Sequence, residues 1–261
     1  LVPYPQIFND VNNQKAEVIL YRPTGESGDF EKANFPIGVE GGKTSTCPTQ
    51  NLMEAYDMKD GTPFVWNNQS DPYDNRDPRM KYTIVCNEMK WPVDPVEIWE
   101  GGTNGLPLQN ATTTGYYLKK YVNNTISFEA GSTVTKKQHN WVLFRYGEIL
   151  LNYAEAMINA FHDPNYKDAV YNMSAREAVN QIRGRTNISL PGFPSDITEK
   201  DFVKRLKNER RVELAFEGHR FWDVRRWKEL GQTANIYGVK ITKNNEVISY
   251  EKFLLETRAV T

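Results

Sequence analysis

The sequence predicts a mainly α fold with a loop-rich segment that carries short β-strands. From Trp141 onward, apolar residues recur at i, i+3, i+4 and i+7 for about six turns, which is the period of an amphipathic helix. Before that point, turn-forming pairs such as Asp60-Gly61 and Asp71-Pro72 interrupt each apolar run. The chain is therefore divided into a loop-rich part, residues 1–140, a helical part, residues 141–231, and a C-terminal tail, residues 232–261.

Short strands are expected where β-branched and aromatic residues cluster between turns. In the loop-rich part these segments are residues 17–21, 81–86 and 115–122, and in the tail a short strand or turn is expected near residues 239–248. One helix is expected over residues 49–58, because Leu52 and Tyr56 lie at helical spacing and Pro48 suits a helix start.

The helical part contains several start and stop signals. The long amphipathic helix from Trp141 ends at the turn that begins with His162. A capping box at Ser174 starts a second helix. Thr198 caps a third helix, which leads into a charged corner, and Gly231 closes the last helix.

The charged corner, residues 208–228, reads NERRVELAFEGHRFWDVRRWK and mixes many charges with large aromatic side chains. On a helix, Glu209, Glu213 and Glu217 share one face. The cations within reach of these carboxylates are Arg210, Arg211 and Arg220. Aromatic residues this close argue for burial, where an unpaired charge is costly. Structural ion pairing is therefore favoured, and a catalytic or anion-binding role for these arginines is the alternative.

Composition excludes several classes of function. The formal net charge is -1, and no basic stripe of the kind that binds phosphate backbones is present, so nucleic acid is not expected as a partner. No run approaches eighteen apolar residues, and the first residues lack the pattern of a signal peptide. Any membrane attachment is therefore expected to lie outside this sequence.

Cofactor and metal signals are weak. Cys47 and Cys86 define no disulfide framework, so free thiols and a bridge both remain open. The oxygen-rich loop of residues 71–77 fits ordinary turn chemistry better than calcium binding, and the histidines lack metal-ligand spacing. No cofactor, metal or enzymatic activity is expected. A glycoside hydrolase stays a less favoured alternative, because sequence does not exclude a pair of acting carboxylates.

Aromatic residues in polar loops are the best candidates for ligand contact. The face of a sugar ring is apolar and stacks on Trp or Tyr, while its hydroxyl groups form hydrogen bonds with polar side chains. Each such ring, taken singly, is better explained by packing under a loop, but a binding face that includes one or more of them is favoured. The candidate ligand-binding residues are Trp66, Asn68, Tyr73, Trp91 and Trp99.

The charged corner resembles the closing signature of the SusD/RagB family, the surface glycan-binding lipoproteins of Bacteroidetes. Further segments resemble that family in the same order: residues 48–61, 71–79, 143–156 and 178–185. Members of the family usually run to about twice this length. The chain is therefore expected to be a C-terminal part of such a protein.

The resemblance implies tetratricopeptide-like helical hairpins stacked into an α/α superhelix. It also implies non-catalytic glycan binding on the outer membrane, as a lipoprotein whose lipid anchor is absent from this chain. The implied partner is a SusC-like TonB-dependent transporter that takes up the glycan. A protein-interaction module without its own sugar site is the alternative, since helical repeats are commonly docking surfaces.

Overall fold

The fold contains both helices and antiparallel strand pairs. The computed structural model of the protein describes residues 1–8, 16–67, 71–129 and 135–260. Helix makes up 29% and strand 20% of the structure, so the prediction of a mainly α fold is not confirmed. The difference arises because the predicted long helix is preceded by a strand and because the tail forms a β-hairpin.

The elements follow one another along the chain with short helices first and longer ones later. The helices are α1 (Asp29–Asn34), α2 (Gln50–Met53), α3 (Pro78–Thr83), α4 (Tyr146–Phe161), α5 (Ala175–Arg183), α6 (Glu199–Glu213) and α7 (Arg220–Arg226), with 3-10 turns at Tyr4–Ile7 and Leu230–Thr233. The strands are β1 (Val18–Ser27), β2 (Ile84–Val85), β3 (Tyr117–Leu118), β4 (Lys137–Arg145), β5 (Asn235–Asn244) and β6 (Val247–Thr257). Within the described ranges the strands pair as β1–β4, β2–β3 and β5–β6, all antiparallel.

Local capping decides the elements of the loop-rich part. Residues 81–86 were expected to be one strand, but α3 continues to Thr83 and only β2 follows. The helix forms because the Asp77 side chain accepts a hydrogen bond from the Arg79 N–H at 2.9 Å and Pro78 occupies the first position. The helix expected over residues 49–58 is reduced to α2.

The start of the helical part differs from the prediction because of strand pairing. Residues 141–145 belong to β4, which pairs with β1 so that Val142 lies opposite Tyr21. The helix begins only at Tyr146, whose N–H donates to the Glu17 carbonyl at 2.8 Å. It ends as predicted, with His162 in the left-handed region at φ 56°.

The helices α4, α5 and α6 pack around one apolar cluster. The capping box predicted at Ser174 is present, and Thr198 caps α6 as expected. Ala175 and Ala178 are fully buried, which lets α5 approach α4 closely. A helical hairpin is therefore confirmed, whereas a superhelix of several hairpins stays a prediction.

The charged corner turns sharply after α6. Phe216 and Gly218 adopt left-handed backbone angles of φ 60° and 84°, which end α6 and lead into α7. Phe221 and Trp222 on α7 are 53% and 66% exposed, so the expectation that the aromatic residues of the charged corner are buried is wrong for these two rings. The last helix ends at Arg226 rather than Gly231.

A buried network of ion pairs joins the loop-rich part to the helices. Glu213 is fully buried and binds Arg79, Arg145 and Arg185 at 2.9, 2.9 and 2.7 Å. Burial would raise the pKa of the Glu213 carboxyl, but the surrounding guanidinium groups outweigh it and lower that pKa. Ion pairing of the charged corner is thus confirmed, while the partners come from distant parts of the sequence.

The other two glutamates of the charged corner are bound in the same way. Glu209 binds Arg79 at 2.6 Å and Arg183 at 2.8 Å. Glu217 binds Arg145 at 2.7 Å and Lys120 at 2.8 Å. Since each cation comes from a different element or loop, the network fixes how these segments meet.

The Glu213→Gln substitution is expected to destabilise the protein by about 3–5 kcal/mol, because it leaves three buried arginines short of one negative charge. The free energy of unfolding in urea measures this loss. The matched control is Glu199→Gln, whose side chain is 46% exposed and which should change stability by less than about 0.5 kcal/mol. Equal losses in the two variants would contradict the structural role of Glu213.

Candidate functional site

Two of the predicted ligand-binding residues are part of the core. Tyr73 is 7% exposed and packs edge-on against Tyr250, with ring centroids 5.3 Å apart. Trp91 is 4% exposed, packs edge-on against Phe35 at 5.4 Å, and only borders a cavity of about 290 Å³. The polar loops need such rings as apolar anchors. We therefore assign both rings to the core, against the expectation that they contact a ligand.

Two other predicted residues remain accessible. Trp66 is half-buried and meets Phe64 edge-on, with ring centroids 6.4 Å apart. Trp99 is also half-buried, and the Lys243 ammonium group lies 4.4 Å from its ring centroid. Asn68, the fifth candidate, lies outside the described residues. The aromatic candidates with an exposed ring surface are therefore Trp66 and Trp99.

A cavity of about 450 Å³ lies beside Phe64, and we call it the α6 cleft. It lies between one face of α6, the chain that follows α2 and the chain from Arg220 to Gln232. Pro63, Phe64 and Val203 give it an apolar wall. Its volume is in the range of small-molecule sites, which combine apolar surface with a few polar groups.

The period of α6 explains why one helix serves both the scaffold and the cleft. Phe202, Leu206, Glu209 and Glu213 lie on the buried face of α6. The residues that α6 contributes to the cleft are Lys200, Val203, Lys204, Arg205, Lys207, Asn208 and Arg211. All of them except Arg205 form one stripe, in which each residue has a neighbour three or four positions away. This second stripe was present in the sequence as a basic i, i+4 pattern, but the paired charges of the same helix obscured it.

The wall of the cleft that faces α6 is held by internal contacts. The Arg76 guanidinium lies 3.5 Å from the centroid of the Phe64 ring, which fixes the ring in place. Asp57 binds Arg183 at 3.4 Å and Arg205 at 3.7 Å. Burial raises the pKa of Asp57 to about 6 despite these cations. The pKa of the Asp57 carboxyl is therefore closer to neutral pH than that of an exposed aspartate.

The remaining signals of the sequence have structural explanations. Asp71 accepts from the Tyr73 N–H at 2.8 Å, and Asp77 binds Arg79 at 2.7 Å, so these oxygens serve the turn and the start of α3. The residues that the structure describes contain no group of three or more side chains placed to hold a metal ion. Cys47 and Cys86 are free thiols in the structure.

The chain matches known proteins over nearly its whole length. Residues 7–255 fit the pattern of the SusD family. A SusD-like protein from Bacteroides fragilis is 25% identical with a TM-score of 0.80 over 99% of this chain and 52% of its own. A SusD-like carbohydrate binding protein from the same species is 25% identical with a TM-score of 0.75 over 90% of this chain and 47% of its own.

A curated SusD-like protein from Formosa agariphila is 37% identical over 91 residues, which are 33% of this chain and 16% of that protein. The chain belongs to the SusD family. It spans about half the length of the two solved relatives. Across the described ranges, every helix is too short or too polar to cross a bilayer.

The Trp91→Ala substitution is expected to cost about 3–5 kcal/mol of stability, because it leaves a cavity beside Phe35. Thermal or urea unfolding measures the loss. Trp99→Ala is the matched control and should cost less, since its ring is already half exposed. A smaller loss for Trp91→Ala than for Trp99→Ala would contradict the assignment of Trp91 to the core.

Proposed function

We propose that the protein binds a glycan without catalysing a reaction on it. Membership of the SusD family supports this proposal, as does the fold shared with a SusD-like carbohydrate binding protein at 25% identity. The observation that carries it for this chain is the α6 cleft, which joins an apolar wall that includes the Phe64 ring to many hydrogen-bonding side chains. We place the glycan there.

The α6 cleft has the two kinds of surface that a sugar needs. Phe64 lines the cleft and offers its ring to the apolar side of a pyranose. Trp66 does not line the cavity itself, but its half-buried ring meets Phe64 edge-on and extends the aromatic surface beside the cleft. Asn208 and Gln232 line the same cavity and can exchange hydrogen bonds with hydroxyl groups. We propose Trp66 as the main aromatic contact of this site and Trp99 as a further candidate.

Cleavage of the glycan is disfavoured by the way the cleft holds its carboxylates. A glycosidase needs an acid and a second carboxylate on either side of the bond that breaks. Asp57 has a raised pKa, but it is bound to Arg183 and Arg205. Glu229 in the same cleft is bound to Lys207 at 2.6 Å. These pairings favour binding over hydrolysis.

We further propose that the protein acts on the outer cell surface, as a lipoprotein that delivers glycan to a SusC-like TonB-dependent transporter. The SusD family membership supports this role, and the relatives named above come from Bacteroides fragilis and Formosa agariphila. In the structure, the exposed ring pair of Phe221 and Trp222 on α7 favours a docking role for the helical part.

Trp66→Ala is expected to lower glycan affinity by about 5- to 30-fold, because a lost stacking contact is worth about 1–2 kcal/mol. The measurement is calorimetric titration of the protein in its native length, with an oligosaccharide first selected on a glycan array. Trp222→Ala is the matched control, since its ring is 66% exposed on α7 outside the cleft.

Unchanged melting temperatures of both variants would show that the fold is intact. A Trp66→Ala protein that binds as tightly as the unmodified protein would contradict the placement of the glycan beside Trp66. Release of reducing ends from the bound oligosaccharide would contradict the non-catalytic proposal.

Trp222→Ala is expected to weaken association with the transporter by about tenfold or more, because an exposed Trp at the centre of an interface commonly contributes about 2 kcal/mol or more. Co-purification of the two proteins from detergent-solubilised membranes, followed by a binding titration, measures the change. The glycan-site variant Trp66→Ala should leave this association unchanged. Unchanged association of the Trp222→Ala protein with the transporter, even with a lower melting temperature, would contradict the docking role of α7.

A further inference from the structure

The α6 cleft holds more positive charge than its own carboxylates neutralise. Its carboxylates are Glu54, Asp57 and Glu229. Each of them is already bound to a cation: Asp57 as described above, Glu54 to Lys252 at 2.8 Å and Glu229 to Lys207 at 2.6 Å. The negative charge of the cleft is therefore used by existing ion pairs.

Several cations that line the cleft form no ion pair with any described residue. These are Lys200, Lys204, Arg211 and Arg220. Arg211 donates one hydrogen bond to the Asn51 carbonyl and Arg220 donates one to the Gln232 side chain, both at 2.8 Å. A guanidinium group has five N–H donors, so most of the donors on these two arginines remain available.

The two arginines also oppose each other. Burial lowers the pKa of Arg211 to about 10, and the nearby positive charge of Arg220 lowers it further in the same direction. Burial likewise lowers the pKa of Arg220, and the negative charges of Asp223 and Glu229 offset only part of this effect. Neither guanidinium has a fully buried nitrogen that lacks a partner, so their open N–H groups reach solvent. Both arginines line the α6 cleft and also a neighbouring cavity of about 380 Å³ beside Phe221. An anion placed between them would remove this repulsion.

The arginines of the buried network form ion pairs with carboxylates, whereas Arg211 and Arg220 in the cleft form none with the described residues. Arg79, Arg145 and Arg185 are fully buried and each binds carboxylates. Arg210, the sequence neighbour of Arg211, binds Asp223 at 2.9 Å. Arginine forks recognise carboxylate and sulfate oxygens in pairs, which a neutral sugar hydroxyl does not reproduce.

We propose that the α6 cleft selects glycans that carry an anionic group, a carboxylate or a sulfate ester, and that Arg211 and Arg220 bind that group. Phe64 and Trp66 then contact the ring that carries it. This inference rests on the proposed glycan-binding function and adds the chemical class of the ligand. Lys200 and Lys204, at the exposed rim, attract the same charge over a longer range.

The test uses pairs of glycans that differ only in charge. Oligogalacturonate is compared with its methyl ester, and a sulfated galactan oligosaccharide with its desulfated form, by titration of the protein in its native length. We expect the charged member of one pair to bind at least about tenfold more tightly, and that preference to fall as salt rises. Which pair shows the preference distinguishes a carboxylate from a sulfate ester.

The variants Arg220→Gln and Arg211→Gln are expected to remove most of this preference, with about a tenfold loss of affinity each for the charged glycan. Arg220→Gln is expected to disturb the fold less, because the Arg211 side chain is more deeply buried and donates a hydrogen bond to the Asn51 carbonyl. The matched control is Arg22→Gln, because Arg22 is an exposed residue of β1 that does not line the cleft. This variant should bind both glycans as the unmodified protein does.

The outcomes separate this inference from the function it rests on. Equal binding of charged and neutral members, reduced by Trp66→Ala but not by Arg220→Gln, would overturn the anionic selectivity and keep glycan binding. A charge preference that Arg22→Gln reduces as much as Arg220→Gln would also overturn it, because general surface charge would then be the cause. Binding of no glycan, charged or neutral, would overturn the proposed function itself.

Discussion

The carboxylate of Glu213 is the contact on which the rest of the structure depends. It is fully buried near the end of α6 and binds arginines from α3, from the end of β4 and from the loop after α5. Removing such charges from water costs free energy, and only the attraction within the complete set of ion pairs offsets that cost. Segments far apart in sequence must therefore meet at this carboxylate with little freedom, which makes the network a rigid support.

That rigidity has a consequence for the loops of the first part. Arg79 follows a loop that carries Tyr73, and α3 is anchored by the same arginine to Glu209 and Glu213. The nearby aromatic rings then fill the space between the loops and the helices, as Trp91 does against Phe35. Two rings that the sequence predicted as ligand contacts, Tyr73 and Trp91, are therefore part of the core. Phe64 and Trp66, beside the α6 cleft, are only half-buried.

Local signals in the sequence correctly predicted the helix boundaries that depend only on neighbouring residues. The capping box at Ser174, the cap at Thr198 and the end of α4 at His162 all follow from side chains within a few positions. The start of α4 could not be predicted this way, because β4 is defined by its pairing with β1, more than a hundred residues earlier. The partners of Glu213 were hidden for the same reason, although the need for pairing was visible.

The cleft shows why paired and unpaired charge must be judged by helix face rather than by composition. Arg210 and Arg211 are neighbours in sequence, but a step of one residue along a helix turns the side chain by about 100°. One guanidinium therefore reaches Asp223 within the scaffold, and the next lines the cleft beside Arg220. One helix can thus place ion-paired side chains in the interior and, on its other face, unpaired cations that are available to an anionic ligand.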